Sequence, residues 1–103
     1  SSVSVYPVVE NRNRFQGLVA MENANPYFWN PDNLDTLYVR NIMEQPLDYI
    51  YENERMDSVM DKFDRSQAWR LPVVREDMTY LGFISKSRIL MAYRNEMKLI
   101  SEE

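Results

Sequence analysis

The chain has 103 residues, a formal net charge of −4 and 45% hydrophobic residues, with two Trp, seven Tyr and four Phe. This is enough for one modest core, and too apolar for a disordered segment. Interspersed charges argue against a general nucleic-acid binder, and the absence of Cys and His removes disulfides, thiolate nucleophiles, imidazole bases and the usual zinc sites.

In chain order, Tyr6-Pro7-Val8-Val9 reads as a strand, followed by a polar turn and a second apolar strand around Phe15, Leu18 and Val19. Residues 22–37 change character. Pro26 and Pro31 forbid one long helix, so a short helix, a break at Asn30 and a helical turn starting at Pro31 are expected. The Tyr27-Phe28-Trp29 cluster reads as packing around that bend, with a partner-docking patch as the alternative. Tyr38 to Met43 then leads into Tyr49-Ile50-Tyr51, a strand candidate.

A helix is expected from about Asn53 to Ala68, with Met56, Val59, Met60 and Phe63 on one face. Asn53 is its candidate N-cap, and Glu54 and Asp57 suit the positive end of its dipole. Leu71 to Val74 and Thr79 to Ile84 repeat the strand–turn–strand pattern. A last helix starts near Ser85 and carries Ile89, Leu90, Tyr93, Met97 and Ile100 at helical spacing; its tail from Lys98 to Glu103 is expected to fray. The carboxylate pairs Glu52/Glu54 and Glu76/Asp77 fall in turns or helix starts, where turn and capping chemistry accounts for them. Nothing nearby would separate their pKa values as an acid–base dyad requires. No apolar run approaches a membrane span and no signal peptide is visible. The segment is therefore expected to be soluble, with any membrane association supplied elsewhere in a longer protein.

One stretch is written twice. Residues 6–19 recur without a gap as residues 71–84, with Pro7/Pro72, Val8/Val73, Val9/Val74 and Gly17/Gly82 identical. An ungapped repeat implies two copies of one supersecondary unit. The expected fold is α/β, with strand–helix–strand–strand–helix repeats in tandem: residues 1–37 as a partial first repeat with connecting helices, and 38–103 as the second. The first copy lacks the opening strand and helix, so the chain reads as cut within it. Val5, Val8, Leu18 and Val19 should then be partly uncovered, and a two-fold homodimer is expected to bury helical faces that include Met56, Met60, Ile89 and Tyr93 or their neighbours. The repeat glycines suggest close backbone approach or an unusual φ.

This order, with Val39-Arg40-Asn41-Ile42-Met43 opening the second copy and Leu71-Pro72-Val73-Val74 before Gly82-Phe83-Ile84-Ser85, resembles the cystathionine-β-synthase (CBS) domain family, whose paired copies form the Bateman module. Thr36 to Met43, Ala68 to Val74, Gly82 to Leu90 and Ala92-Tyr93-Arg94 look like the cytoplasmic CBS pair of bacterial ClC-type chloride channels and transporters. The resemblance implies two units packed about a pseudo-two-fold axis, with clefts for adenosine ligands. There, a glycine is followed three residues later by Ser or Thr and six later by Asp, and the carboxylate accepts from the ribose hydroxyls.

This chain departs from that pattern in both copies. Gly82 is followed by Ser85 but then by Arg88, and Gly17 by Ala20 and Asn23. If a cleft binds, the resemblance implies Ser85 and Asn23 as polar contacts and the main chain of Val39, Arg40 and Met43 facing adenine. Arg88 itself reads either as a phosphate contact or as a solvated arginine on an exposed helix, and Ser85 also reads as a helix N-cap. The expectation is no cofactor beyond weak AMP, ADP or ATP, and no enzyme activity, since both glycines are spent on the repeat and leave no phosphate-cradling loop. The implied role is a cytoplasmic regulatory and dimerising module of a ClC-type protein. It would act by subunit packing at the cytoplasmic face of the inner membrane, attached to a transmembrane chloride channel or transporter domain of the same polypeptide, with no nucleic-acid partner. The alternative is an adenine-nucleotide sensor regulating an attached transporter or enzyme.

Overall fold

The computed structural model describes residues 4–21 and 30–102. The chain forms two compact units, Ser1–Pro46 and Leu47–Glu103, with the mixed α/β content expected.

In the first unit, β1 (Val5–Glu10) and β2 (Arg14–Ala20) form an antiparallel hairpin. Its loop turns on Asn11, Arg12 and Asn13, all at positive φ; the two asparagines tolerate this region better than most residues. A short 3₁₀ turn follows at Pro31–Asn33, capped by the Asn30 side chain, which accepts from Asp32 N–H at 3.0 Å. The break at Asn30 and the turn at Pro31 are thus as expected. The preceding helix and the Tyr27-Phe28-Trp29 cluster lie outside the described residues. Helix α1 is one turn, Val39–Ile42. Beyond it Glu44 pairs with Leu18 of β2 in both directions, N–H to C=O, at 2.8 Å.

The second unit contains β3 (Ile50–Tyr51), α2 (Met56–Ser66), β4 (Arg70–Val74), β5 (Tyr80–Ser85) and α3 (Lys86–Glu102). The sheet order is β3-β4-β5, parallel between β3 and β4 and antiparallel between β4 and β5. The core is Ile50, Val59, Phe63, Leu71 and Ile89, with Met60, Ala68, Val73 and Ile84 packed against it. The α2 face read from periodicity is real: Val59 and Phe63 are buried, Met60 is half-buried and Met56 sits at the exposed end.

The repeat extends to the backbone. In β1–β2 the register shifts so that Val8 pairs with Gly17 and Val9 with Phe15, leaving Gln16 extra. In β4–β5, Val73 pairs with Gly82 and Val74 with Tyr80, leaving Leu81 extra. Both hairpins thus carry a β-bulge immediately before the glycine. The two glycines serve different needs. Gly82 has φ +147°, which L side chains rarely adopt, and open space where a Cβ would stand. At Gly17 a Cβ would lie 2.9 Å from the Glu44 carbonyl oxygen and 2.5 Å from Met43 Cγ, so the constraint is close approach.

Four expectations are corrected. The N-cap of α2 is Arg55 and not Asn53, because Glu52 and Asn53 are spent on a turn that closes Glu54 N–H onto the Tyr51 carbonyl at 3.0 Å. The helix ends at Ser66 rather than Ala68, because Gln67 takes the left-handed conformation and returns its N–H to the Phe63 carbonyl at 3.0 Å, a frequent helix stop. The tail does not fray from Lys98; helical backbone continues to Glu102. Val19 is only 7% exposed, whereas Val5, Val8 and Leu18 are half-buried. Strand alternation places Val19 on the covered face of β2 with Phe15 and Gly17, while Leu18 points the other way.

Replacing either glycine is expected to destabilise its unit by about 1–3 kcal/mol, but by separable routes. Gly82→Val strains the backbone whatever its neighbours, so no neighbouring truncation recovers it. Gly17→Ala loses part of its penalty when combined with Met43→Ala, leaving the clash with the Glu44 carbonyl. Urea melts of these three variants and of Met43→Ala alone check this, and equal stability of Gly82→Val and the parent would show the positive φ to be unimportant.

Candidate functional site

The end of β5 and the start of α3 concentrate the residues of interest. Ser85 closes the strand, and its Oγ accepts the Arg88 N–H at 3.3 Å while lying 3.3 Å from Ser87 Oγ. It is therefore the N-cap of α3, as its position suggested. One turn into the helix, Arg88 is exposed and borders a cleft of about 600 Å³. Met56 at the start of α2, Gly82, Phe83 and Ile84 of β5, and Ile89 and Ala92 of α3 contribute to its walls. Phe83 is fixed by an edge-to-face contact with Tyr80, ring centroids 5.6 Å apart, and burial raises the Tyr80 phenol above its ordinary pKa. Gly82 leaves the middle of this surface bare.

Helix α3 does not bear a single apolar face. Ile89 is 2% exposed and belongs to the core, whereas Tyr93 is 52% exposed. Leu90, Tyr93 and Met97 form the outward stripe, at i, i+3 and i+7, with Met91 beside it. The expectation that Ile89 would be buried between subunits is corrected: it is consumed inside its own unit. Met56, Leu90, Met91, Tyr93 and Met97 remain exposed.

The remaining site residues fall elsewhere. Val39, Arg40 and Met43 belong to the first unit. Val39 is exposed, the Arg40 guanidinium lies over the Tyr38 ring at 4.3 Å from its centroid, and Met43 rests against Gly17. Ala20, which stands where the family pattern has a hydroxyl, is buried. Asn23 lies outside the described residues.

A polar clamp escaped the sequence reading. Glu54 and Lys62 form an ion pair at 2.9 Å with side chains only 10% and 15% exposed. Lys62 Nζ also donates to the Tyr49 carbonyl at 2.7 Å and lies 5.0 Å from the Tyr51 ring centroid. Glu54 accepts from Tyr51 N–H at 3.1 Å and from the Ser58 hydroxyl. Burial alone would raise the Glu54 carboxyl; the hydrogen bonds from Ser58, Lys62 and Tyr51, with the Lys62 charge, outweigh it and hold the pKa below its ordinary value. Glu54 therefore ties β3 to α2 rather than serving the helix dipole. The legible signal was the spacing Glu54, Ser58, Lys62, each four residues apart, which a helix expected from Asn53 would align, although Glu54 precedes the Arg55 N-cap.

Among the described residues no group of three Asp or Glu is placed to hold a metal ion, and no helix is long and apolar enough to cross a membrane. The arrangement offers an apolar cleft with one cation and an exposed apolar helix stripe, which are recognition features.

The family model described as CBS domain matches residues 39–95. No curated protein matches the chain. Among solved structures, the chain is similar to Listeria monocytogenes CbpB in complex with c-di-AMP (17% identity, TM-score 0.69, covering 93% of this chain and 74% of that one). It is also similar to CBSX2 in complex with AMP (18%, 0.68, 90% and 72%), and to the soluble part of a magnesium transporter (16%, 0.69, 92% and 35%).

The clamp predicts a pH dependence. A carboxylate whose folded pKa is depressed contributes stability that is fully present above its unfolded value, about 4.3, and is lost as pH falls through the folded value. Glu54→Gln should therefore reduce stability at pH 7 and flatten the acid limb of a stability–pH profile below about pH 4.5. Lys62→Met should cost about 1–3 kcal/mol at pH 7, since it leaves a nearly buried carboxylate without its cation. Parallel acid limbs for Glu54→Gln and the parent in urea melts would remove the clamp from the account.

Proposed function

The chain belongs to the CBS domain family, and from that premise we propose that it is a non-catalytic regulatory module, one that senses an adenine-nucleotide-type ligand and reports occupancy through packing against a second copy. The observation that carries the sensing part is the cleft of about 600 Å³ between α2, β5 and α3, within the size range of small-molecule sites. Two proteins of the same fold are complexes with c-di-AMP and AMP, which supports this class of ligand. The packing part rests on the outward stripe of Leu90, Tyr93 and Met97 with Met91 and Met56, an apolar surface of the kind that subunits bury.

A packing-only module is the second reading. It is favoured by the engagement of Ser85 as a helix cap and by the lack of a carboxylate at position 88. A missing acceptor for a buried ribose diol costs about ten- to a hundredfold in affinity, so adenine nucleotides should bind more weakly than in relatives that have one. As the attached domain we propose a ClC-type chloride channel or transporter at the cytoplasmic face of the inner membrane, on the motifs running through Thr36–Met43 and Gly82–Leu90. The likeness to the soluble part of a magnesium transporter supports a transport protein in the general sense.

Two measurements separate the readings. AMP or c-di-AMP in millimolar excess should raise the melting temperature through mass action; unchanged melting with both abandons sensing and leaves packing alone. Sedimentation at tens of micromolar, the working range of a weak interface, should give a dimer that Tyr93→Glu converts to monomer without loss of fold. A monomeric parent would end the packing half.

A further inference from the structure

We infer that the cleft over Gly82 recognises its ligand by an anionic group held by the Arg88 guanidinium, and not by ribose hydroxyls; the ligand class is a phosphate-bearing molecule with a flat or apolar body. This rests on the sensing reading above and specifies its chemistry.

The lining settles which interactions are available. Met56, Val73, Leu81, Gly82, Phe83, Ile84, Ile89 and Ala92 offer no polar side chain, and Arg88 is the one residue that does. A vicinal diol is fixed by an acceptor, most strongly a carboxylate, and none borders the cleft. The nearby Ser85 hydroxyl already accepts the Arg88 N–H and lies within hydrogen-bond distance of Ser87. A guanidinium has only donors and no acceptor, so it pairs with phosphate or carboxylate oxygens and favours them in bidentate geometry. Among the described residues no carboxylate forms an ion pair with Arg88, in contrast to Arg55, Arg65 and Arg75. Its charge is therefore available at the exposed rim of an apolar surface, where an anion can pair with it by charge-assisted hydrogen bonds without displacing a carboxylate.

The rest of the cleft suits the ligand's body. Phe83 and Ile84 give an apolar floor, and Met56 a deformable edge. No heavy atom other than its own chain neighbours lies within 4 Å of where a Gly82 Cβ would stand, so a ring can approach the backbone there. The cap that places the first turn of α3 also fixes where the Arg88 side chain begins, at the border of this cleft.

The test is calorimetry on the chain with three probes: AMP, 2′,3′-dideoxyadenosine 5′-monophosphate, and adenosine. AMP and its dideoxy analogue should bind within about threefold of each other, and adenosine at least about tenfold more weakly, the difference of one charge-assisted contact. Arg88→Gln should lower AMP affinity to the level of adenosine and leave adenosine unchanged. Arg88→Lys should retain part of the preference for the phosphate. Arg88 is exposed, so both variants should fold, as melting curves would verify. AMP binding that survives Arg88→Gln, or that falls tenfold on loss of the two hydroxyls, overturns the inference while the sensing reading stands. Failure of all three probes to bind the parent overturns the sensing reading and this inference with it.

Discussion

The second unit depends on one backbone irregularity, the bulge at Leu81 followed by Gly82 at φ +147°. A regular strand would continue its pleat and carry β5 straight past the core. The extra residue increases the local twist, and the glycine accepts a conformation that a Cβ would penalise. Helix α3 starts at Lys86, five residues on from the bulge at Leu81. Lys86 N–H donates to the Trp69 carbonyl at 2.9 Å, which ties the helix start back to the entry of β4. Ile89 thereby reaches the core, and Arg88, its neighbour in sequence, is left at the rim of the cleft. Core, cleft and exposed stripe are consequences of one change of direction.

The same device serves the first hairpin differently. There the bulge at Gln16 brings Gly17 against the Glu44 backbone and the Met43 side chain. Met43 thus fills the place a Gly17 side chain would take, and paired Leu18–Glu44 hydrogen bonds hold it there. At Gly82 the equivalent space is empty. The repeat fixed the position of the bulge in both units, and the residues around it decided whether the glycine became a packed contact or an open surface.

Much of this was legible in sequence and some was not, for physical reasons. The repeat, its strands and the buried side of α2 could be read because Val59 and Phe63 recur at helical spacing and Pro-Val-Val at a constant offset. The bulges could not, since a register shift is a property of hydrogen-bonded pairs and leaves no composition of its own. Asn53 had the right chemistry for an N-cap, but the Tyr51–Glu54 turn claimed it first; local propensity yielded to a neighbouring turn. In α3 too many apolar residues were available. Ile89, Leu90, Tyr93 and Met97 satisfy a helical period in more than one phase, and only the position of the sheet selects Ile89 as the inward one. Glu54, Ser58 and Lys62 were readable as a line along a helix, yet the third anchor, the Tyr49 carbonyl, comes from β3's approach and is invisible without the fold.

Family membership and local chemistry pull in different directions at position 88. The fold provides a cleft next to a strand-to-helix junction, and a carboxylate there would make it a reader of sugars. This chain places a guanidinium instead, with Ser85 committed to the helix cap. On the sensing reading the two side chains would select opposite ends of the same kind of ligand, because one accepts hydrogen bonds and the other only donates them. Overall charge sharpens the point. In a chain of net charge −4, an anion gains nothing from the protein's long-range field. Any preference for phosphate must be local, arising within a few ångströms of Arg88, where no carboxylate among the described residues pairs with the guanidinium and its fork of donors favours phosphate oxygens in bidentate geometry.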